Sequence, residues 1–585
     1  MQFKLLKNLY SKLSSKRKIH LYLVFCLLLM VSIFEVVSIG SVIPFLSLIL
    51  DPEAYSVYLN NNKYLKNVAY ILKSENFMII VASVFISIIM VAALGRVILL
   101  WAQTKLSHAI GHDISYELYN CYLYTPFISH INRNSSAAVS AITTKTNIVS
   151  ASIVNPILHI FSSLVMAIIL VTTLAILNPI LTCSALVFFT FVYVMIFGFA
   201  RKHISRGRKI LSEETDNIFK EVSEGLGGMR EVILSNNQNF HLQKFKKHDV
   251  NFRSAQATIS IFAVAPKNLV EALGIVFVVV FTSILAAHSD DPISYLPHLA
   301  AFALATQRLL PLLQAIYNNT TEISGSLGLL KDLLKILDAQ PPFPPTEIRN
   351  SLIFENKFEL SKIAFSYQET DKKIFEEFDF QIKKGDKIGL IGASGSGKST
   401  LLDLISGLIQ PQNGLVLVDD QVLDENTIWN WRQNVAYVSQ DVYLMDESIK
   451  RNIVGPIPDE DVDFVLLNRI LLDLDLNSLI DSFDNGLNTS VGERGVSLSG
   501  GQKQRLGIAR AIYQKRSFWI LDEVTSSLDS LSENFVMNAL ERHSKSDTFI
   551  FVTHRPETLK ICDHIYELSD SQLHKKEISE IIQLK

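Results

Sequence analysis

The chain of 585 residues is long enough for two or more domains, and 49% of its residues are hydrophobic while only 19% are charged. Soluble chains carry about a quarter charged residues, so this composition indicates a membrane protein with a soluble part and argues against a wholly soluble protein. The net charge of -3 points to no particular partner. The four cysteines, Cys26, Cys121, Cys183 and Cys562, have no metal-type or disulfide-type spacing.

Six apolar runs of about 20 residues predict six transmembrane helices. The runs lie at about 20–48, 77–101, 150–177, 181–200, 258–287 and 294–318. Six Lys or Arg occur in the first 19 residues and eleven in 201–257, whereas 178–180 and 288–293 contain none. The positive-inside rule therefore places the N-terminus in the cytoplasm, and six spans return the C-terminal half to that side. The first run is too long for a cleavable signal. The six spans argue against a soluble nucleic-acid ATPase.

The two inward-facing connections, 102–149 and 201–257, are long, polar and helical in composition. We predict helices that continue beyond the inner leaflet, and two small cytoplasmic domains are the alternative. The last span continues as an amphipathic helix that ends at PPFPP, residues 341–345, because consecutive prolines forbid helix.

These patterns divide the chain into a transmembrane domain at 1–340, a linker at 341–350 and a soluble domain at 351–585. In the last of these, short β-type runs alternate with helices. The predicted fold class is therefore a six-helix transmembrane domain followed by an α/β nucleotide-binding domain.

A strand, a glycine-rich turn and a helix start are encoded by KIGLIGASGSGKSTLL at 387–402. The segment matches G-x-x-x-x-G-K-[ST], whose backbone N–H groups wrap nucleotide phosphates, while Lys398 reaches the β- and γ-phosphates and Ser399 ligates Mg²⁺. The predicted ATP-binding residues of this loop are Gly392, Ala393, Ser394, Gly395, Ser396, Gly397, Lys398, Ser399 and Thr400.

A second apolar strand, SFWILDE at 517–523, ends in two carboxylates. Asp522 suits the support of Mg²⁺ at a strand end, and Glu523 suits the polarisation of an attacking water. A strand ending in two acids is ordinarily just solvated, but the phosphate loop upstream favours the catalytic interpretation.

SLSGGQKQRLGIARA at 497–511 places two glycines at a helix start, where backbone donors and the helix dipole suit a second anion site. Its LSGGQ resembles the signature of ATP-binding cassette (ABC) proteins. The resemblance adds Ser499, Gly500, Gly501 and Gln502 to the predicted ATP site.

Other motifs extend the resemblance residue by residue. Tyr367 resembles the aromatic that stacks on adenine, Gln440 resembles the glutamine that senses Mg²⁺, and His554 resembles the switch histidine of catalysis. TSVGERG at 489–495 resembles the loop that contacts membrane helices in exporters. SSLD resembles the dimer-contact loop, with Ser527 where alanine is usual.

Six spans before one cassette resemble an ABC exporter half-transporter. In that family the LSGGQ of one copy closes over the phosphate loop of another, which implies a dimer. A homodimer is favoured over a heterodimer because every active-site position is intact. The resemblance further implies a translocase that uses ATP and Mg²⁺ in a bacterial inner membrane, with the cassette in the cytoplasm.

Arg96 lies about 28 Å into the second span, which is costly for a charge and suggests function. A simple alternative is that it snorkels to the inner headgroups. Glu35, Lys267, Glu271 and Arg308 also lie inside predicted spans. Lys267 and Glu271 are four residues apart, so they can neutralise each other. The excess of basic groups suits an anionic cargo such as a phosphate headgroup.

The stretches around these charges resemble bacterial flippases for lipid-linked oligosaccharides. They are FEVVSIGSVIPF at 34–45, ALGRVILL at 93–100, AVAPKNLVEALG at 263–274 and TQRLLP at 306–311. The resemblance implies that Arg96, Lys267 and Arg308 serve a pyrophosphate-linked glycan, with Lys267 standing where those flippases have arginine. It also implies a short external helix at 51–72.

Two other functions stay open. The chain could export another cargo, such as lipid A or hydrophobic drugs, with the same cassette. It could also be an ATP-gated channel or a regulatory receptor, although no extended regulatory insert is present.

Overall fold

The computed structural model describes residues 2–50, 77–131, 135–177, 179–287, 296–339, 352–367, 373–492, 495, 498–543, 546–553 and 555–577. Contacts divide the chain into two compact units. The first unit is Met1–Tyr122 with Ser136–Gln340, and the second is Leu123–Ser135 with Pro341–Lys585. The predicted linker at 341–350 and the predicted external helix at 51–72 lie outside the described residues.

Long helices make up the first unit. The helices of the N-terminal half are α1 (Gln2–Lys12), α2 (Ser15–Gly40), α3 (Val42–Leu50), α4 (Phe77–Tyr124), α5 (Ile128–Ile131), α6 (Ser135–Ser140), α7 (Thr146–Val149) and α8 (Asn155–Leu177). Of these, α5 belongs to the second unit. Two π-helical turns, Ala141–Lys145 and Ser150–Val154, flank α7. The remaining helices are α9 (Pro179–Gly227), α10 (Met229–Leu234), α11 (Gln238–Ala287) and α12 (Leu296–Asp338).

Five helical segments in the described part of the chain are long and apolar enough to cross a membrane. They are Ser15–Ile49, Met78–Tyr124, Ala138–Ile176, Thr182–Gly227 and Gln238–Phe277. Each contains much of one predicted span. The sixth predicted span, 294–318, begins outside the described residues and overlaps α12.

The connections after the second and fourth predicted spans are helical, as predicted. Helix α4 continues past 101 to Tyr124, and α9 continues past 200 to Gly227. These helices therefore continue beyond the predicted spans, because polar residues at the end of a span do not stop a helix. Helix α1 was not predicted. It ends at Lys12, and Ser14 then caps α2 by accepting a hydrogen bond from the backbone N–H of Arg17.

Two sheets form the second unit. The strands are β1 (Lys357–Ser366), β2 (Lys373–Lys383), β3 (Lys387–Ile391), β4 (Asn413–Val418), β5 (Gln421–Val422), β6 (Val435–Val438), β7 (Phe518–Asp522), β8 (Thr548–Val552), β9 (His564–Ser569) and β10 (Gln572–Lys576). One sheet has the order β2-β1-β4-β5 and is antiparallel. The other has the order β10-β9-β3-β8-β7-β6, in which β10 is antiparallel to β9 and the other neighbours are parallel.

Short helices connect and cover these strands. They are α13 (Lys398–Ile405), α14 (Ile428–Arg432), α15 (Ile449–Val454), α16 (Phe464–Asp473), α17 (Asn477–Asp481), α18 (Gly500–Tyr513), α19 (Ser530–His543) and α20 (Pro556–Leu559). Between the two sheets, an aromatic cluster of Phe358, Trp431 and Phe518 is almost fully buried. The core fixes β3, β8 and β7 side by side, so their carboxyl ends share one edge.

Residues 123–131, which comprise the last two residues of α4, a short turn and helix α5, pack with the second unit. The ring of Tyr124 lies 6.0 Å from that of Trp429, and Ile128 packs against the hydrophobic core between the sheets. Sequence reasoning did not predict this assignment, because hydropathy along the chain does not report which unit a short helix contacts.

Candidate functional site

The phosphate loop joins β3 to α13 at the shared sheet edge. Gly392 and Gly397 have φ of 153° and 102°, which favour glycine. A Cβ on Gly392 would lie 2.7 Å from the carbonyl oxygen of Leu568, so no larger residue fits there. The loop therefore keeps its backbone close to the strands, with its amides available at the start of the helix.

Two side chains of the loop are arranged for a phosphate ligand. The Lys398 ammonium donates to the carbonyls of Gly392 at 2.6 Å and Ala393 at 2.9 Å, so it lies over the loop. The hydroxyl of Ser396 is buried and has no hydrogen-bond partner among the described residues. A buried hydroxyl without a partner is costly, and a phosphate oxygen would satisfy it. The loop residues therefore fit the predicted nucleotide.

The next residues of the motif lie in the first turn of α13. Ser399 is its second residue, and the buried Thr400 follows. The hydroxyls of Thr400 and Tyr367 lie 3.3 Å apart. The structure thus brings the predicted adenine-stacking residue Tyr367 next to the phosphate loop.

Asp522 is the last residue of β7, and β8 lies between β7 and β3 in the sheet. The hydroxyl of Tyr437 donates to its Oδ2 at 3.4 Å. Burial raises the pKa of Asp522, and the neighbouring Glu523 carboxylate adds to this effect, while the Tyr437 hydrogen bond and Lys398 oppose it. Burial, followed by repulsion from Asp522, also raises the pKa of Asp403 to about 6. This crowding of carboxylates favours a bound cation.

Glu523 has a left-handed backbone with φ of 50°, which is unusual outside glycine. Its backbone N–H donates to the carbonyl of Val552 on β8 at 2.9 Å. The side-chain amide of Gln440 donates to Glu523 Oε2 at 2.9 Å. The structure thus joins the predicted base, Glu523, to the predicted Mg²⁺-sensing residue, Gln440. Strained backbone of this kind concentrates at catalytic sites.

The signature segment forms the start of α18. Ser499 is the N-cap and accepts from the backbone N–H of Gln502, whose side chain accepts in return from the backbone N–H of Ser499 at 2.8 Å. A Cβ on Gly501 would lie 3.1 Å from the carbonyl oxygen of Ser527, so the two predicted dimer-contact segments pack against each other. Among the described residues, no hydrogen bond or ion pair joins 498–502 to the phosphate loop.

A network around Arg555 was missed by sequence reasoning. Its guanidinium donates to the nearly buried Glu533 at 2.7 Å and to the carbonyls of Ser526 and Leu528 at 3.1 Å each. Thr558 also donates to Glu533, at 2.9 Å. The network fixes the SSLD loop, and no local pattern predicts it because its residues come from separate segments. His554, the predicted switch residue, lies outside the described residues.

Replacing Arg555 by Ala should lower the stability of the cassette by about 1–3 kcal/mol, because Glu533 loses its charged partner and two carbonyls lose donors. Thermal unfolding of the purified protein would measure the loss. Arg469→Ala, an exposed arginine on α16, is the matched control and should unfold as the parent protein does. Equal unfolding of the two variants would contradict the role given to Arg555.

The predicted cargo residues lie in the first unit. Arg96 on α4 and Arg308 on α12 both contact Glu35 on α2, each at 2.8 Å. The two arginines predicted to act together are thus adjacent, and a carboxylate joins them. Lys267 lies within α11, but its side chain is outside the described residues.

Comparisons with known proteins agree with this architecture. Residues 21–292 match the family model of the ABC transporter transmembrane region, and residues 375–526 match that of the ABC transporter. An ATP-dependent lipid A-core flippase of Ralstonia nicotianae is 27% identical over 65% of this chain and 65% of its own length. The flippase of the same name from Chromohalobacter salexigens is 27% identical over 80% of this chain and 81% of its own length.

A solved structure of a bacterial Atm1-family ABC exporter with ATP bound has a similar fold. The TM-score is 0.76 at 15% sequence identity, over 97% of this chain and 96% of that one. The chain therefore has the fold of an ABC transporter. More specifically, a transmembrane region precedes the ATP-binding cassette, which is the domain order of an ABC exporter half-transporter.

Proposed function

We propose that this protein is an ATP-driven flippase that moves an anionic lipid-linked glycan, such as a polyprenyl-pyrophosphate oligosaccharide, across a bacterial cytoplasmic membrane. It works as a homodimer with its cassettes in the cytoplasm. The observation that carries the cargo class is the pair of arginines, Arg96 and Arg308, inside the transmembrane unit. They share one carboxylate, so the group has one positive charge in excess.

A charge in excess inside a membrane span is costly and is characteristic of a substrate path. Guanidinium groups are the side chains best suited to phosphate oxygens, because their planar N–H donors match phosphate geometry. Lys267, the third basic residue predicted to serve the cargo, adds a further positive charge to the transmembrane helices.

ATP hydrolysis uses the cassette residues in the following roles. Lys398 and the amides from Gly392 to Ser399 hold the phosphates, and Tyr367 holds the adenine. Ser399, Gln440 and Asp522 offer hydroxyl, amide and carboxylate oxygens, which suit Mg²⁺, and the cation when bound neutralises phosphate charge.

The remaining cassette residues act at the reacting atoms. Glu523 orients the attacking water and accepts its proton, with its carboxylate held by Gln440. His554 contacts the γ-phosphate. Ser499, Gly500, Gly501 and Gln502 of the partner copy complete the site.

Flipping of a fluorescent polyprenyl-pyrophosphate glycan in proteoliposomes tests this function. Arg96→Ala and Arg308→Ala should each raise the half-saturating cargo concentration roughly tenfold to a hundredfold, because each removes a charge-assisted hydrogen bond. The ATP hydrolysed on the same samples gives the amount of active protein. Arg253→Ala removes an arginine that is two-thirds exposed on α11 and should not change flipping.

Normal flipping by both arginine variants would show that Arg96 only anchors α4 at the membrane surface. A second cargo, lipid A-core, is favoured by the names of the similar flippases. Flipping of lipid A-core but not of the polyprenyl-pyrophosphate glycan would establish that alternative.

A further inference from the structure

Glu35 is a buried carboxylate held between two arginines from different helices. The Nη1 atom of Arg96 donates to both of its oxygens at 2.8 Å each, and Nη1 of Arg308 contacts Oε1 at 2.8 Å. The side chain of Glu35 is only 6% exposed, whereas those of Arg96 and Arg308 are 33% and 36% exposed. The carboxylate therefore faces the protein, and the arginines reach the surface around it.

Close packing holds Glu35 at this place. It lies on the buried face of α2 together with Val31, Ser32 and Ser38. A Cβ on Gly95 would lie 3.2 Å from a methyl of Val31, so α2 and α4 approach closely one residue before Arg96. Because this packing fixes the buried face of α2, the carboxylate of Glu35 has little freedom to change position when an arginine side chain moves.

Both guanidinium groups keep donors for a further anion. A guanidinium carries five N–H donors, and only Nη1 of each arginine contacts Glu35. Within the described part of the chain, no other acceptor contacts either group. Two unshielded guanidinium groups would repel each other, so the carboxylate between them is what allows them to stand side by side.

We propose that Glu35 is a positioning residue that fixes Arg96 and Arg308 as a paired receptor for a phosphate ester of the cargo. This inference rests on the proposed function and adds a residue to it. Glu35 itself does not touch the cargo. It holds the two guanidinium groups at one spacing before the anion arrives, which lowers the cost of ordering them on binding.

Binding of a fluorescent polyprenyl pyrophosphate to the purified full-length protein in detergent, followed by anisotropy, tests this role. Glu35→Ala should raise the dissociation constant roughly tenfold to a hundredfold, the range expected when charge-assisted bonds lose their alignment. Glu35→Gln keeps the size and one acceptor oxygen and should lie between Glu35→Ala and the parent protein. Glu117→Ala, an exposed position on α4, is the matched control and should bind normally.

A purely structural role for Glu35 predicts a different pattern. A structural role predicts that Glu35→Ala weakens binding equally in a protein that already carries Arg96→Ala and Arg308→Ala. If Glu35 instead acts through the arginines, Glu35→Ala should have no further effect on binding in that protein. The same loss in that background would overturn the proposal, as would normal binding by Glu35→Ala. Should Glu35→Ala fail to fold, Glu35→Gln provides the same comparison.

Competing ligands separate this inference from the proposed function. Displacement of the probe by undecaprenyl pyrophosphate, but not by the uncharged undecaprenol, supports a receptor for the phosphate. Equal displacement by inorganic pyrophosphate would show a site for free phosphate, so the lipid cargo would be wrong while the role of Glu35 stood. If the parent protein flips the glycan normally and Glu35→Ala binds the probe as the parent does, the flippase function stands and the positioning role of Glu35 is wrong.

Discussion

Replacing Glu523 by Gln should lower ATP hydrolysis about 10²–10⁴-fold, the usual contribution of a general base. The amide has nearly the shape of the carboxylate but cannot take up the proton of the attacking water. Glu523 is placed for this role by its left-handed backbone, by its N–H bond to Val552 and by the Gln440 amide at 2.9 Å from its Oε2. The substitution leaves the phosphate loop unchanged, so ATP should still bind.

Turnover and nucleotide binding must be measured on the same preparation, because a misfolded cassette would lose both. Glu541→Gln changes an exposed glutamate on α19 and should hydrolyse ATP at the parent rate. Near-normal turnover by Glu523→Gln would refute the catalytic assignment, and loss of binding together with turnover would indicate a structural role.

The strand, turn and helix start of the phosphate loop could be predicted because these elements are local in sequence. A strand, a glycine-rich turn and a helix start lie within 387–402, and the structure has β3, the loop and α13 there. The requirement for glycine at position 392, however, does not come from neighbouring residues. It comes from the carbonyl of Leu568, which is distant in sequence and packs against the loop. Asp403 and Arg555 were missed for the same reason, since their partners lie on other segments.

The transmembrane charges show the same limit. Hydropathy placed Glu35, Arg96 and Arg308 inside spans, but it gave no information on which helices are neighbours. The ion pair considered from sequence was the local one between Lys267 and Glu271. The structure instead joins three helices through Glu35, and such a contact needs the packing of α2, α4 and α12 to be known.

Mixed dimers should recover ATP hydrolysis when one copy carries Lys398→Ala and the other carries Ser499→Arg. Lys398 belongs to the phosphate loop, and Ser499 caps the helix that presents the signature. Arginine at this cap removes the hydroxyl acceptor and places a positive charge against the positive helix end. Within one described chain, no hydrogen bond or ion pair joins the two elements, so we expect each signature to serve the other copy.

In a dimer of the two variants, one site loses both elements and the other site keeps both. Two different affinity tags allow the mixed dimers to be purified, and their activity should approach about half that of the parent if sites in a symmetric dimer act independently. Homodimers of either variant should be inactive, because each of their sites lacks one element.

The decisive control pairs Lys398→Ala with Glu523→Gln. Both residues lie at the phosphate side of the site, at the carboxyl ends of β3 and β7 in the same sheet. In this mixed dimer each site therefore lacks one element, and no activity should return. If the Lys398→Ala and Ser499→Arg pair were equally inactive, the signature would serve its own chain, and the shared nucleotide site would be wrong.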